Sequence, residues 1–182
     1  MIRTIKLYPE AGLRQKAIKI EKLDRETMVE IGDLRETLTA SRGVGLAATQ
    51  IGVNKRFLAI RQNRSVDPVV YVNPQIMRTK GEKVYPKWIN KEGKEEDFLE
   101  GCLSFPGLWG KVRRFLEIEV GWKEIRAGKL VEKQRAMKGF EAVVWAHEYD
   151  HLDGILLIDH IREEGGRVFK EDGGKLVEWS LS

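Results

Sequence analysis

Two histidines four residues apart, in His147-Glu148-Tyr149-Asp150-His151, constrain this chain more than any other feature. On a helix they sit one turn apart on one face, so both imidazoles can hold one metal ion. Glu148 can then reach a water on that ion, which is the arrangement for metal-assisted hydrolysis. Two histidines at this spacing more often form a hydrogen-bonded pair in a core. Here they are two of only three histidines in the chain, and a glutamate follows the first directly, which favours the metal.

The pair needs a third ligand. A metzincin-like continuation, H-x-x-G-x-x-H, holds as far as Gly154 and then has Leu157 where a histidine is required; His160 comes too late. Glu163, Glu164 and Glu171 are formally available but lie in a charged, loop-like tail. Cys102 is the stronger choice. It is the sole cysteine and sits in a Gly-Cys turn shortly before Pro106-Gly107, and a thiolate is a strong ligand for zinc or iron(II). The competing reading of a lone cysteine is a small buried hydrophobe.

The length of 182 residues suits one domain, 1–182, with a real core. Apolar residues make up 42% and charged residues 33%, the balance of an ordinary globular chain. A net charge of +4 permits an acidic partner such as RNA without requiring one. No apolar run reaches the length of a membrane span, and Met1 to Lys6 lacks the apolar core of a signal peptide. One cysteine allows no internal disulfide, so a reducing cytosol is the expected setting.

Along the chain, Met1 to Gly12 reads as an extended lead-in. Asp24 is a fitting N-cap for an amphipathic helix from Leu23 to Arg42, whose Met28, Ile31, Leu34 and Leu38 recur every three or four residues. Gly43 to Val53 is dominated by small residues. Such a stretch lets backbone come close either to a neighbouring element or to a ligand. Strands are expected at Arg56–Arg61 and Val69–Val72, with Asn73-Pro74 as a turn and Gln75–Thr79 as a continuation. Lys80–Asp97 reads as a polar surface excursion with a hairpin around Val84-Tyr85. Phe115–Trp122 alternates as a half-buried strand, and Ala127-Gly128 turns into a short partner at Leu130–Lys133. Gly139–Leu152 is the helix of the histidine pair, Ile155–Ile158 a short strand, and the tail from Arg162 irregular. Strands in the middle with a helix on either side predict an α+β fold.

Three stretches together resemble peptide deformylase: Gly43-Val44-Gly45-Leu46-Ala47-Ala48-Thr49-Gln50 for GxGxAAxQ, Glu100-Gly101-Cys102-Leu103-Ser104 for EGCLS, and His147 to His151 for HExDH. The resemblance implies an α+β fold with antiparallel sheets around a central helix that carries HExDH. It implies removal of the formyl group from the initiator methionine of new polypeptides, with release of formate. Cys102, His147 and His151 would bind one divalent metal ion, Fe2+ in cells and Zn2+ or Ni2+ in purified protein. Glu148 would be the general base and later the acid. The Gln50 side chain and the Leu103 N–H would stabilise the oxyanion, while Gly43, Val44 and Gly45 would pair with the peptide as an added strand. Val143, Val144 and His147 are positioned to line a methionine pocket. The implied partners are N-formylmethionyl nascent peptides and, transiently, the ribosome, with no specific nucleic acid and no membrane, for a cytoplasmic monomer.

Four features depart from the family pattern. Ala146 precedes His147 where glutamine is usual, and Leu108-Trp109 stands where an arginine is usual. Lys80–Asp97 is long, and the tail is short with no clear amphipathic helix. Asp150 either pairs with an arginine or faces solvent. Two rival readings are a metallopeptidase that takes a tail glutamate as third ligand, and a noncatalytic metal-stabilised binding module.

Overall fold

The computed structural model describes residues 1–61 and 66–180. In chain order the elements are α1 (Arg25–Ala40), β1 (Gly45–Ala47), β2 (Phe57–Ile60), β3 (Val69–Lys80), β4 (Lys87–Ile89), β5 (Glu95–Asp97), β6 (Glu100–Cys102) and β7 (Phe105–Lys111). They continue with β8 (Glu117–Arg126), β9 (Lys129–Lys138), α2 (Phe140–Leu152), α3 (Leu157–Glu164), β10 (Arg167–Asp172) and β11 (Lys175–Trp179). One sheet runs β1-β2-β3-β8-β9, a second runs β11-β10-β7-β6, and β4 pairs with β5 alone. All these pairings are antiparallel, as the α+β expectation requires.

The α2 helix is central because it is buried on more than one side. Its Ala142, Val143, Trp145, His147, Glu148, His151 and Leu152 are all removed from solvent. Trp145 is fully buried among Leu58, Tyr71, Ile118, Val120 and Met137, which project from the five-stranded sheet. Replacing a buried tryptophan by alanine costs about 3–5 kcal/mol, so this contact holds α2 on the sheet while the other side of the helix faces β6. A second cluster, with Ile31, Leu34 and Leu38 of α1 against Leu46, Phe57 and Val72, covers the opposite face of that sheet.

Asp24 caps α1 as the sequence predicts, accepting from Thr27 N at 2.7 Å. Met28 does not join the buried face. Thr27, one turn before Ile31, takes that place and Met28 is exposed. Val69–Val72 and Gln75–Thr79 are one strand. Asn73 adopts φ 48° and a bulge, and the chain passes through Pro74 without turning. The Asn73 side chain is spent on Ile20, donating to its carbonyl at 2.7 Å and accepting from its N–H at 2.8 Å.

Four further expectations need correction. The hairpin in the polar excursion is β4–β5, reversing at residues 90–94; Val84 instead bridges Arg114. The partner strand after Ala127-Gly128 runs the full length of β8, because both turn residues have positive φ (47° and 75°), which suits a tight hairpin. Ile155–Ile158 is not a strand: Leu157 and Ile158 open α3, whose apolar face lies on β7. The charged tail is not irregular either, since β10 joins β7 and β11 closes on β10.

Candidate metal and hydrolytic site

The β6–β7 hairpin turns through Leu103 and Ser104, and a register shift between Gly101 and Cys102 re-aims the strand end. Cys102 is thereby brought to α2, where His147 and His151 sit one turn apart with ring centroids 5.1 Å from each other. The ligand atoms of Cys102, His147 and His151 all lie within 4.8 Å of one another. Cys102 Sγ is 3.2 Å from His151 Nε2. These donors fit a divalent ion. His147 spends Nδ1 on Glu100 Oε2 at 2.8 Å, which leaves Nε2 for a ligand bond. Burial pushes the Cys102 thiol up, but His151 and His147 outweigh it and hold the group well below its ordinary value, in favour of the thiolate. The tail glutamates are elsewhere: Glu164 pairs with Lys83 at 2.8 Å, and Glu163 and Glu171 are exposed.

Glu148 is buried beside this group, and its Oε2 has no hydrogen-bond partner among the described residues. Burial raises its carboxyl to about 7, with the neighbouring histidines pulling the other way. The carboxylate crosses β1 at Gly45, where an added Cβ would come within 2.5 Å of Glu148 Cγ. Only glycine allows that approach. Gln50 is also buried. Its Oε1 accepts from Ala47 N at 2.9 Å, and its Nε2 lies 3.1 Å from Ser104 Oγ and 3.6 Å from Cys102 Sγ.

The β1 strand presents a free edge. Val44 O accepts from Arg61 N at 2.9 Å and Gly45 stands opposite Ile60, so Gly45 occupies a non-hydrogen-bonded pair on the β2 side. Its own N–H and C=O point away from β2, toward a cavity of about 430 Å³. Gly43 differs: its N–H donates to Ser41 Oγ and its carbonyl accepts from Arg61 Nε. Gly43, Val44 and Gly45 all line the cavity, as do Gln50, Leu103, Cys102, His147, Glu148 and the pocket candidates Val143 and Val144.

Two residues of the site escaped the sequence reading. Arg114 is buried and grips Glu100 with Nε and Nη2 at 2.8 and 2.9 Å, while its Nη1 reaches Asp150 Oδ2 at 2.5 Å. Asp150 thus pairs with an arginine and does not face solvent. His160, set aside as a metal ligand, bonds the same Asp150 oxygen through Nε2 at 2.7 Å. Burial pushes Glu100 up, yet Arg114 and then His147 outweigh it and hold the carboxyl at about 2. Nothing in the local sequence marks Arg114, since its partners come from 14 and 36 residues away.

The family model described as Polypeptide deformylase matches residues 2–166. The peptide deformylase of Desulforudis audaxviator is 39% identical over 154 residues, covering 84% of this chain and 88% of that protein. That of Aquifex aeolicus is 34% identical over 182 residues, covering 98% of each. The crystal structure of peptide deformylase from Thermotoga maritima superposes with a TM-score of 0.72 at 33% identity, covering 88% of this chain and 97% of that one.

Proposed function

The chain belongs to the polypeptide deformylase family, and on that premise we propose how its own residues perform the reaction. The enzyme is a metal-dependent hydrolase that removes the N-terminal formyl group from newly made polypeptides and releases formate. We propose that it works as a single catalytic domain in which Cys102, His147 and His151 hold one divalent ion. The thiolate and two imidazoles suit iron(II) in the cell, with zinc or nickel able to replace it in purified protein. The ion supplies Lewis acidity to the formyl carbonyl and to water.

Glu148 is the general base in this reading. The observation that carries it is a buried carboxylate beside the three proposed ligands, with Oε1 over Gly45 and an Oε2 that has no hydrogen-bond partner among the described residues. Glu148 takes a proton from the attacking water and returns one to the departing amine. Gln50 Nε2 and the Leu103 N–H donate to the formyl oxygen as charge develops on it; one such donor is worth about 3–4 kcal/mol. The peptide pairs with the free N–H and C=O of Gly45 as an added strand, with Val44 flanking it and Gly43 shaping the approach. Its methionine side chain enters the cavity against Val143 and Val144. No helix among the described residues is long and apolar enough to cross a membrane. The proposed setting is the cytoplasm, on nascent chains, with the enzyme a monomer that touches the ribosome transiently and recognises no specific nucleic acid.

The test is formate release from formyl-Met-Ala-Ser by protein loaded anaerobically with iron(II), with acetyl-Met-Ala-Ser alongside. Formate from the first peptide and no cleavage of the second is expected. New amino termini from internal peptide bonds, without formate, would establish the metallopeptidase reading instead.

A further inference from the structure

The bottom of the cavity and its mouth are built differently. Buried residues such as Val143 and His147 form the bottom, next to Cys102 and Glu148. The mouth is aromatic. Phe98 and Phe140 meet edge to face at 5.5 Å, and Phe140 is 53% exposed. Trp109 stands on β7 directly opposite Gly101 of β6, and its six-membered ring lies against that glycine. A Cβ at Gly101 would fall 2.7 Å from Trp109 Cζ3, so the glycine is what lets the indole lie flat beside the cysteine loop. The residue remains 37% exposed and lines the cavity.

This placement bears on which peptides fit, and it rests on the deformylase reading above. The formyl group must reach the bottom, where Glu148 crosses Gly45. Methionine follows it there, and the next side chains leave past the aromatic mouth. Arg42 is the one lysine or arginine among the residues lining the cavity, and Glu100 is already held by Arg114. Trp109 therefore offers a flat apolar platform, backed by strand, at the edge of the cavity.

We propose that Trp109 is a specificity-determining residue, stacking on an aromatic or large apolar side chain at the second or third position of the formylated peptide. Stacking on an indole with exclusion of water is worth about a tenfold preference. The experiment compares kcat/KM for formyl-Met-X-Ser and formyl-Met-Ala-X, with X as Ala, Leu, Phe or Glu, in the wild type, Trp109→Ala and Trp109→Phe. Phenylalanine should exceed alanine about tenfold at one of the two positions, through KM. Trp109→Phe should keep part of that ratio, and Trp109→Ala should bring it near unity. Because the readout is a ratio within each protein, a general loss of activity does not mimic it. Should Trp109→Ala not fold, Trp109→Phe and Trp109→Leu give the same comparison. Formate release with flat ratios in the wild type, or a ratio unchanged on losing the indole, would overturn the proposal alone. No formate from any peptide would overturn the deformylase reading and the proposal with it.

Discussion

Glu100 accepts three bonds that fix how His147 faces the proposed metal group: two from Arg114 and one from His147 Nδ1. Such outer contacts set the tautomer of a ligating histidine, and their loss typically costs about 10–100-fold in metal affinity. Glu100→Gln should weaken metal binding by that factor in a chelator competition, while the fold persists. Arg114→Met should behave differently. It strips the counter-charge from the buried carboxylate of Glu100 and the partly buried one of Asp150, and a broken buried pair costs about 3–5 kcal/mol. Urea unfolding would show this as a lower midpoint, and an unchanged midpoint would mean that His160 and water suffice for Asp150. The proposed ligands and Glu148 are legible in the sequence, the histidines and the glutamate through their spacing on a helix, and Cys102 as the sole thiol within the EGCLS resemblance. Arg114 is not legible, since its role exists only once β6, α2 and the connection between β7 and β8 converge. His160 was visible as a histidine but could be assigned to Asp150 only with α3 in place.

At the scale of elements, the start of α3 carries a pH dependence. Asp159 pairs with Arg14 and accepts from Leu156 N at 2.7 Å, which satisfies the first turn of the helix. Burial pushes its carboxyl up, but Arg14 and the Leu156 N–H outweigh it, so its folded value lies below the ordinary 3.8. A lowered carboxylate stabilises above its unfolded pKa and loses that contribution as pH falls through the folded one. Asp159→Asn should therefore cost about 1 kcal/mol at neutral pH, and the gap to wild type should close as pH drops below about 4. A gap that persists at low pH would show that the carboxylate charge is not what matters. The short, apolar start of this helix explains the mistaken strand: Ile155 to Ile158 is four β-branched or aliphatic residues, and only packing on β7 selects helix. Asn73-Pro74 misled in the same way, because a bulge with its side chain anchored on Ile20 absorbs what reads as a turn.

Across the whole molecule, one helix joins the five-stranded sheet, through Trp145, to the hairpin that supplies Cys102. A metal held by Cys102, His147 and His151 would staple the two sheets together, so its removal should be felt globally. Ion present at 100 times its dissociation constant contributes about 2.7 kcal/mol, and each kcal/mol shifts the midpoint of a domain this size by about 2–4 °C. Chelation should lower the melting temperature of wild type by roughly 5–10 °C. Cys102→Ser should melt near the chelated value and respond little to chelator. If both proteins respond equally, the thiol is not a ligand. The α+β class was legible because the strand periods and the period of α1 are clear, and the central helix through the HExDH resemblance, since α2 is buried on more than one side; the joining of the tail to the β6–β7 hairpin was not, because charged, glycine-bearing strands carry little apolar alternation.

The most direct measurement is made on Glu148→Gln: bound metal per protein and formate release from formyl-Met-Ala-Ser, read on the same preparation beside wild type. Metal content equal to wild type with formate release reduced by about 10²–10⁴-fold is predicted, since a general base is lost and the ligands are kept. Metal retained with formate release undiminished would contradict the assignment of Glu148 as the base on which the proposed chemistry depends.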